Sequence, residues 1–210
     1  MATALSTPPD APAPPAPAVD VPTFPIYRFS IKQYEAMIAS GILTAKDRVE
    51  LIDGWVVPKM AKNPPHVIAT GQLYDALAPL VPAGHYLAKE DPLVVGTSMP
   101  EPDIAVVRGR RRDYTAGPPA AEHVCLIVEV ADASIRRDQL EKAAAYATAK
   151  VPVYWIVNLV NLVVEVYNDP TGPAESPTYA RREVFEASAE VPVILDGREV
   201  GRISVRDILP

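Results

Sequence analysis

The chain has 210 residues and a formal net charge of −6, with 49% hydrophobic and 22% charged residues. That is the balance of an ordinary globular protein long enough to bury a core, and its acid surplus argues against a generic nucleic-acid coat while leaving room for one local contact patch. A single cysteine, Cys125, excludes an internal disulfide framework and a CxxC knuckle. With no cation before Arg28 and no apolar run of membrane-spanning length, a cytoplasmic, reducing compartment is the expectation and no membrane contact is expected.

Residues 1–25, MATALSTPPDAPAPPAPAVDVPTFP, hold a third of the prolines and read as a polyproline-like or disordered tail, leaving 26–210 as one domain. SIKQYEAMIASG predicts a helix with Ser30 as N-cap and Gly41 near its end. VELIDGWVVPKM predicts two strands about a tight Asp53-Gly54 turn. NPPHVIATGQLYDALAPL predicts a proline-opened helix with Val67, Leu73, Leu77 and Leu80 as its apolar stripe. HYLAKEDPLVV and PDIAVV read as strands, and the near-continuous apolar VCLIVEV as a central one. SIRRDQLEKAAAYATAK predicts an Ala-rich helix capped by Ser134. VPVYWIVN and LVVEVYN follow as paired strands, then further short strands and a last helical turn. This interleaving predicts an α/β or α+β domain, one mixed sheet flanked by helices.

No GxSxG, phosphate-loop, HExxH or GxGxxG signature occurs, and the three histidines stand far apart. What remains is carboxylates in strands. Asp103 follows Pro102 at the start of one strand. Glu129 lies inside another that otherwise reads as core, where an uncompensated charge is costly. Alternation puts Cys125, Ile127 and Glu129 on one face, with Ala131 if the strand continues. Two carboxylates on one sheet repel, and a hard cation such as Mg2+ or Mn2+ would relieve them; the plainer alternative is an arginine partner or a turn cap for each. Asp138, Lys142 and Tyr146, spaced i, i+4, i+8, share a helix face. Turned to the sheet, that face brings an ammonium to the carboxylates. Turned outward, it makes a surface Asp138–Lys142 pair, with Tyr146 as core. The basic run RGRRRDY, Arg108 to Tyr114, either contacts phosphates or is a solvated loop.

VELIDG, PPH ahead of a helix, PDIAVV, and LIVEVADAS followed by RRDQLEKAAAYATAKVPVYWIV resemble the Uma-type family of restriction-endonuclease-like proteins, within the PD-(D/E)xK nuclease superfamily. The resemblance spans roughly Tyr27 to Tyr167. It implies a restriction-endonuclease-like fold and a metal-dependent nuclease that hydrolyses phosphodiester bonds, with DNA as partner and Mg2+ or Mn2+ as cofactor. Carried over by position, Asp103 matches the PD aspartate and Glu129 the acidic residue of (D/E)xK. Ala131 stands where that motif has lysine, and Lys142 matches the family's lysine displaced onto the next helix. Glu50 matches an acidic position that would complete the site, and His66 the histidine opening the second helix. ADAS stands where the family commonly has Ser-Pro. The resemblance implies that Asp103 and Glu129 hold the metal with the Val130 carbonyl, and that Lys142 positions or deprotonates the attacking water or stabilises developing charge. Two alternatives stay open: a non-catalytic binding or assembly module on the same fold, and a metal-dependent hydrolase of small phosphate esters. A homodimer is also compatible with the sequence.

Overall fold

The computed structural model describes residues 25–210, so the tail reading of 1–25 falls, but for Pro25, outside the described residues. Helix α1 (Ile31–Ala39) starts where expected: the Ser30 hydroxyl accepts from the Gln33 N–H while the Gln33 side chain accepts from the Ser30 N–H. Strands β1 (Val49–Ile52) and β2 (Trp55–Pro58) pair antiparallel across Asp53-Gly54. Both turn residues have positive φ, 46° and 77°, and a Cβ on Gly54 would meet the Arg28 Cβ at 2.7 Å.

Helix α2 (Pro64–Leu77) is capped by Asn63, whose Oδ1 accepts from the His66 N–H at 3.0 Å. Its buried face is Ala69, Thr70, Leu73 and Leu77, and Val67 is exposed, against the expected stripe. The reason is angular: six residues separate Val67 from Leu73, which leaves them about 120° apart on a helix.

The central sheet has six strands in the order β3 (His85–Ala88), β4 (Ile104–Arg108), β5 (Val124–Ala131), β6 (Val153–Asn158), β7 (Val163–Pro170), β8 (Tyr179–Glu186). All neighbours are antiparallel except β5 and β6. Helix α3 (residues 135–148) makes the crossover between those two. It covers one face of the sheet with Ala143, Tyr146 and Ala147. The other face is covered by α2 and by the hairpin of β9 (Glu190–Leu195) and β10 (Arg198–Ser204). Covered on both sides, β5 is buried along its whole length and apolar but for Glu129. The mixed α+β class expected from the sequence is the observed one. Among the described residues no helix is long and apolar enough to cross a membrane.

Three local expectations fail for physical reasons. HYLAKEDPLVV is strand only over its first four residues; Glu90, at φ 55°, turns the chain away. Pairing passes from Val106↔Leu126 to Val107↔Val124, so Cys125 is the extra residue of a β-bulge. The bulge moves Cys125 off the Ile127–Glu129 face and into the core under α2. Ser134 makes no side-chain cap for α3. That helix instead widens into a π-turn over Asp138–Lys142 before resuming as α over Ala143–Thr148. The wider turn leaves Asp138, Lys142 and Tyr146 all buried against the sheet.

A candidate acidic active site at one end of the sheet

Asp103 immediately precedes β4, whose first residue, Ile104, pairs with Val128 of β5. Antiparallel register therefore sets Asp103 beside Glu129. Beyond the first residue of β4, the Val130 N–H has no ladder partner on that side, and Asp103 Oδ2 accepts from it at 2.8 Å. Lys62 Nζ lies 2.9 Å from Oδ1, and His66 Nε2 lies 3.1 Å from Oδ2. Asn63 fixes the start of α2 above this point by donating to Asp132, just past β5, at 2.6 Å. Burial acts to raise the Asp103 carboxyl, but His66, Lys62 and the Val130 N–H outweigh it and bring it from 3.8 to about 2. Asp103 is thus a firm anion with partners, not the unpartnered carboxylate the sequence suggests.

Glu129 has the opposite balance. It is 4% exposed, and its two donors, Lys142 Nζ at 2.9 Å and the Tyr146 hydroxyl at 2.7 Å, converge on Oε1. Burial pushes it up to about 8; Lys142 opposes this, while Asp138, Asp103 and Glu50 add to it. Glu50, on β1, accepts from the Glu101 N–H and lies 3.5 Å from Lys142 Nζ. Asp138 lies 3.9 Å from the same ammonium. One lysine, 7% exposed, thus faces three carboxylates. Burial acts to lower its pKa, but the carboxylates hold it well above the ordinary lysine value, so it stays charged. A surface Asp138–Lys142 pair is not what forms.

These residues line one cleft of about 340 Å³ between the β1–β2 hairpin, the end of the sheet and α3. Glu50, Asp103, Glu129, Lys142 and His66, the five residues singled out by sequence, all line it. So do Lys62 and Asp138, and Arg48, Lys59 and Arg137 add further cations. Lys62 escaped the sequence reading because nothing local links it to Asp103, 41 positions on. Tyr146 is core, as expected, yet its hydroxyl also serves Glu129.

The RGRRRDY run is elsewhere. It begins at the far end of β4, five strand residues or roughly 17 Å from Asp103. Three of its four arginines, Arg108, Arg110 and Arg111, pair with Asp196, Asp113 and Asp91; Arg112 has no such pair among the described residues. That same end of the sheet gathers His85, Cys125 and Asp196, with ligand-type atoms within 4.8 Å of one another. The cleft carboxylates do not converge so closely among the described residues; the Lys142 and Lys62 ammonium groups stand among them. As a donor set, Glu50, Glu90, Glu101, Asp103, Glu129 and Asp138 nonetheless bring hard oxygens to a cleft that five lysines and arginines also line, and such oxygens are the ligands a magnesium-type ion takes.

A mixed sheet flanked by helices, with acids and a lysine at one end, is a nuclease-like α+β fold. The structure is similar to a crystal structure described as "a putative nuclease belonging to DUF820" from Anabaena variabilis ATCC 29413, with a TM-score of 0.52. The two are 17% identical, over 81% of this chain and 94% of that one, so the likeness is one of fold. The chain belongs to the Uma2 family, described as "Putative restriction endonuclease", whose model matches residues 31–205. Comparison with curated proteins gives no match.

Proposed function

We propose that the cleft hydrolyses phosphodiester bonds of DNA in the presence of Mg2+ or Mn2+. Family and fold support a nuclease. The observation that carries the site is Glu129: a carboxylate buried beside Lys142, crowded by Glu50 and Asp138, and opening on the same cleft as the anionic Asp103. Its unmet charge is what a divalent ion would satisfy. Asp103 and Glu129, joined by Glu50 or the Val130 carbonyl, would hold that ion, which when bound activates a water and stabilises charge on the phosphate. His66 and Lys62 keep Asp103 ionised. Lys142 leaves Glu129 to donate to the attacking water or to a phosphoryl oxygen, where an ammonium stabilises developing charge. Arg48, Lys59 and Arg137 meet neighbouring phosphates. Water oxygen bonds to phosphorus, the ester P–O bond breaks, and the leaving oxygen takes a proton.

The test is nicking of plasmid and single-stranded DNA by purified protein with each metal. Asp103→Asn and Glu129→Gln should abolish cleavage. Lys142→Ala should abolish it too, and Ala131→Lys added to Lys142→Ala should recover part by returning an ammonium to the Glu129 face. Equal cleavage by wild type and Lys142→Ala would remove Lys142 from the reaction. A wild type that cleaves no nucleic acid with either metal but still binds duplex in a salt-dependent way would make the cleft a binding module. Hydrolysis of small phosphate esters alone would reassign the substrate.

A further inference from the structure

The end of the sheet away from the cleft carries a second group of ligand-type side chains, drawn from three parts of the chain. His85 opens β3 opposite Arg108, the last residue of β4. Cys125 is the bulged residue of β5. Asp196, at φ 52°, forms the β9–β10 turn with Gly197. His85 Nε2 is 2.8 Å from Asp196 Oδ2, and Cys125 Sγ is 3.4 Å from Asp196 Oδ1. Arg108 grips Oδ1 through Nε at 2.8 Å and Nη2 at 2.5 Å.

Three features make this more than a polar contact. Without the bulge, alternation would aim Cys125 at α3; the extra residue turns its sulfur to the hairpin turn. His85 Nδ1 is buried with no hydrogen-bond partner, so the ring's polar contact is made through Nε2, into the cluster. Arg108 orients the Asp196 carboxylate from one oxygen and leaves the other for a ligand, as outer contacts do at metal sites.

We propose that His85, Cys125 and Asp196 form a zinc-type site, binding through Nε2, Sγ and Oδ2 with a water as fourth ligand. One nitrogen, one sulfur and one carboxylate oxygen select a borderline-soft ion such as Zn2+ or Co2+ over the hard ions suited to the acidic cleft. The Cys125 thiol gives its proton to solvent on binding. Burial pushes the Cys125 thiol up to about 12, with Arg108 only partly opposing it, so it is the ion itself that makes the thiolate; thiolate and carboxylate then balance the ion's two charges. Entry is from the hairpin side, since Asp196 is partly exposed while Cys125 is fully buried. The ion displaces the His85–Asp196 hydrogen bond and pins the β9–β10 turn to the sheet. It does not depend on the nuclease reading.

The test is titration of tag-free, chelator-stripped full-length protein with Co2+. One equivalent should give a near-ultraviolet thiolate-to-cobalt charge-transfer band that Zn2+ removes and excess Mg2+ does not. Zn2+ should also raise the Tm. Cys125→Ala and His85→Gln should each abolish the band, while Asp103→Asn and Glu129→Gln retain it. His85→Gln, at the more open edge, decides the matter if Cys125→Ala does not fold. No band in the wild type, or a band that survives either substitution in folded protein, overturns the proposal.

Discussion

Glu129 and Glu165 occupy one row on one face of one sheet. Glu129 of β5 pairs with Ile156 of β6, which pairs with Glu165 of β7. Two strand spacings, about 9.6 Å, separate their backbones. Both are nearly inaccessible, at 4% and 1% exposure. Their surroundings differ. Glu165 receives Asn158 Nδ2 at 2.8 Å, the Tyr167 hydroxyl at 2.7 Å, Gln139 Nε2 at 2.9 Å and Arg182 Nε at 3.1 Å, spread over both oxygens. Burial acts to raise its carboxyl, yet these donors bring it below the ordinary value. Glu129 has two donors on one oxygen and carboxylates for neighbours, and is pushed up. Burial of an acid therefore does not mark a site; unmet charge beside a cleft does. Glu165 is structural, fastening α3 and β8 to the sheet through Gln139 and Arg182.

The largest test removes the ammonium. Lys142→Met leaves three carboxylates uncompensated and should cost metal-free protein about 3–5 kcal/mol in urea denaturation. Glu129→Gln added to it should return part of that loss, and strictly additive losses would break the account of Glu129. Divalent metal should act on one member of the pair alone. At a hundred times its Kd, Mg2+ or Mn2+ should stabilise wild type and Glu165→Gln by about 2.7 kcal/mol, and Asp103→Asn or Glu129→Gln not at all. In metal-free protein, Glu165→Gln turns an amide against four donors and should cost about 2 kcal/mol, whereas Glu129→Gln should cost nothing or stabilise. Equal losses at both would erase the contrast.

The pH response should carry opposite signs. The folded carboxyl of Glu129 lies above its free value, so its contribution to stability is lost as pH climbs from about 4.5 through about 8. One proton gives a slope of at most about 1.4 kcal/mol per pH unit. Glu129→Gln should flatten metal-free wild-type Tm across that window. Glu165, depressed, contributes stability above its free value of 4.5 that is lost as pH falls through its lower folded value. Glu165→Gln should leave the alkaline side unchanged and flatten the acid side. Smallest of all, Tyr146→Phe removes one donor from Glu129 and should cost about 1 kcal/mol. No change would mean that the hydroxyl adds nothing to Lys142.

Element by element, the chain was legible wherever local chemistry decides. Ser30, Asp53-Gly54 and the prolines after Asn63 placed a helix start, a turn and a second helix start because caps and turns are satisfied within a few residues. The bulge at Cys125 and the π-turn over Asp138–Lys142 were not legible, since each is a compromise with a neighbouring strand or sheet distant in sequence. Position-by-position resemblance pointed to Glu50, Asp103, Glu129, Lys142 and His66, and these line one cleft; Lys62 carries no local sign of its partnership with Asp103. LIVEVA and LVVEVY are near twins in the sequence, each an acid amid strand-forming apolar residues. By itself that pattern determined that both acids would be buried on a sheet, because alternation and apolarity are local properties. Which acid would be satisfied as an anion by four donors and which left crowded against a cleft was decided by the packing of α3 and β8, and so by the tertiary structure alone.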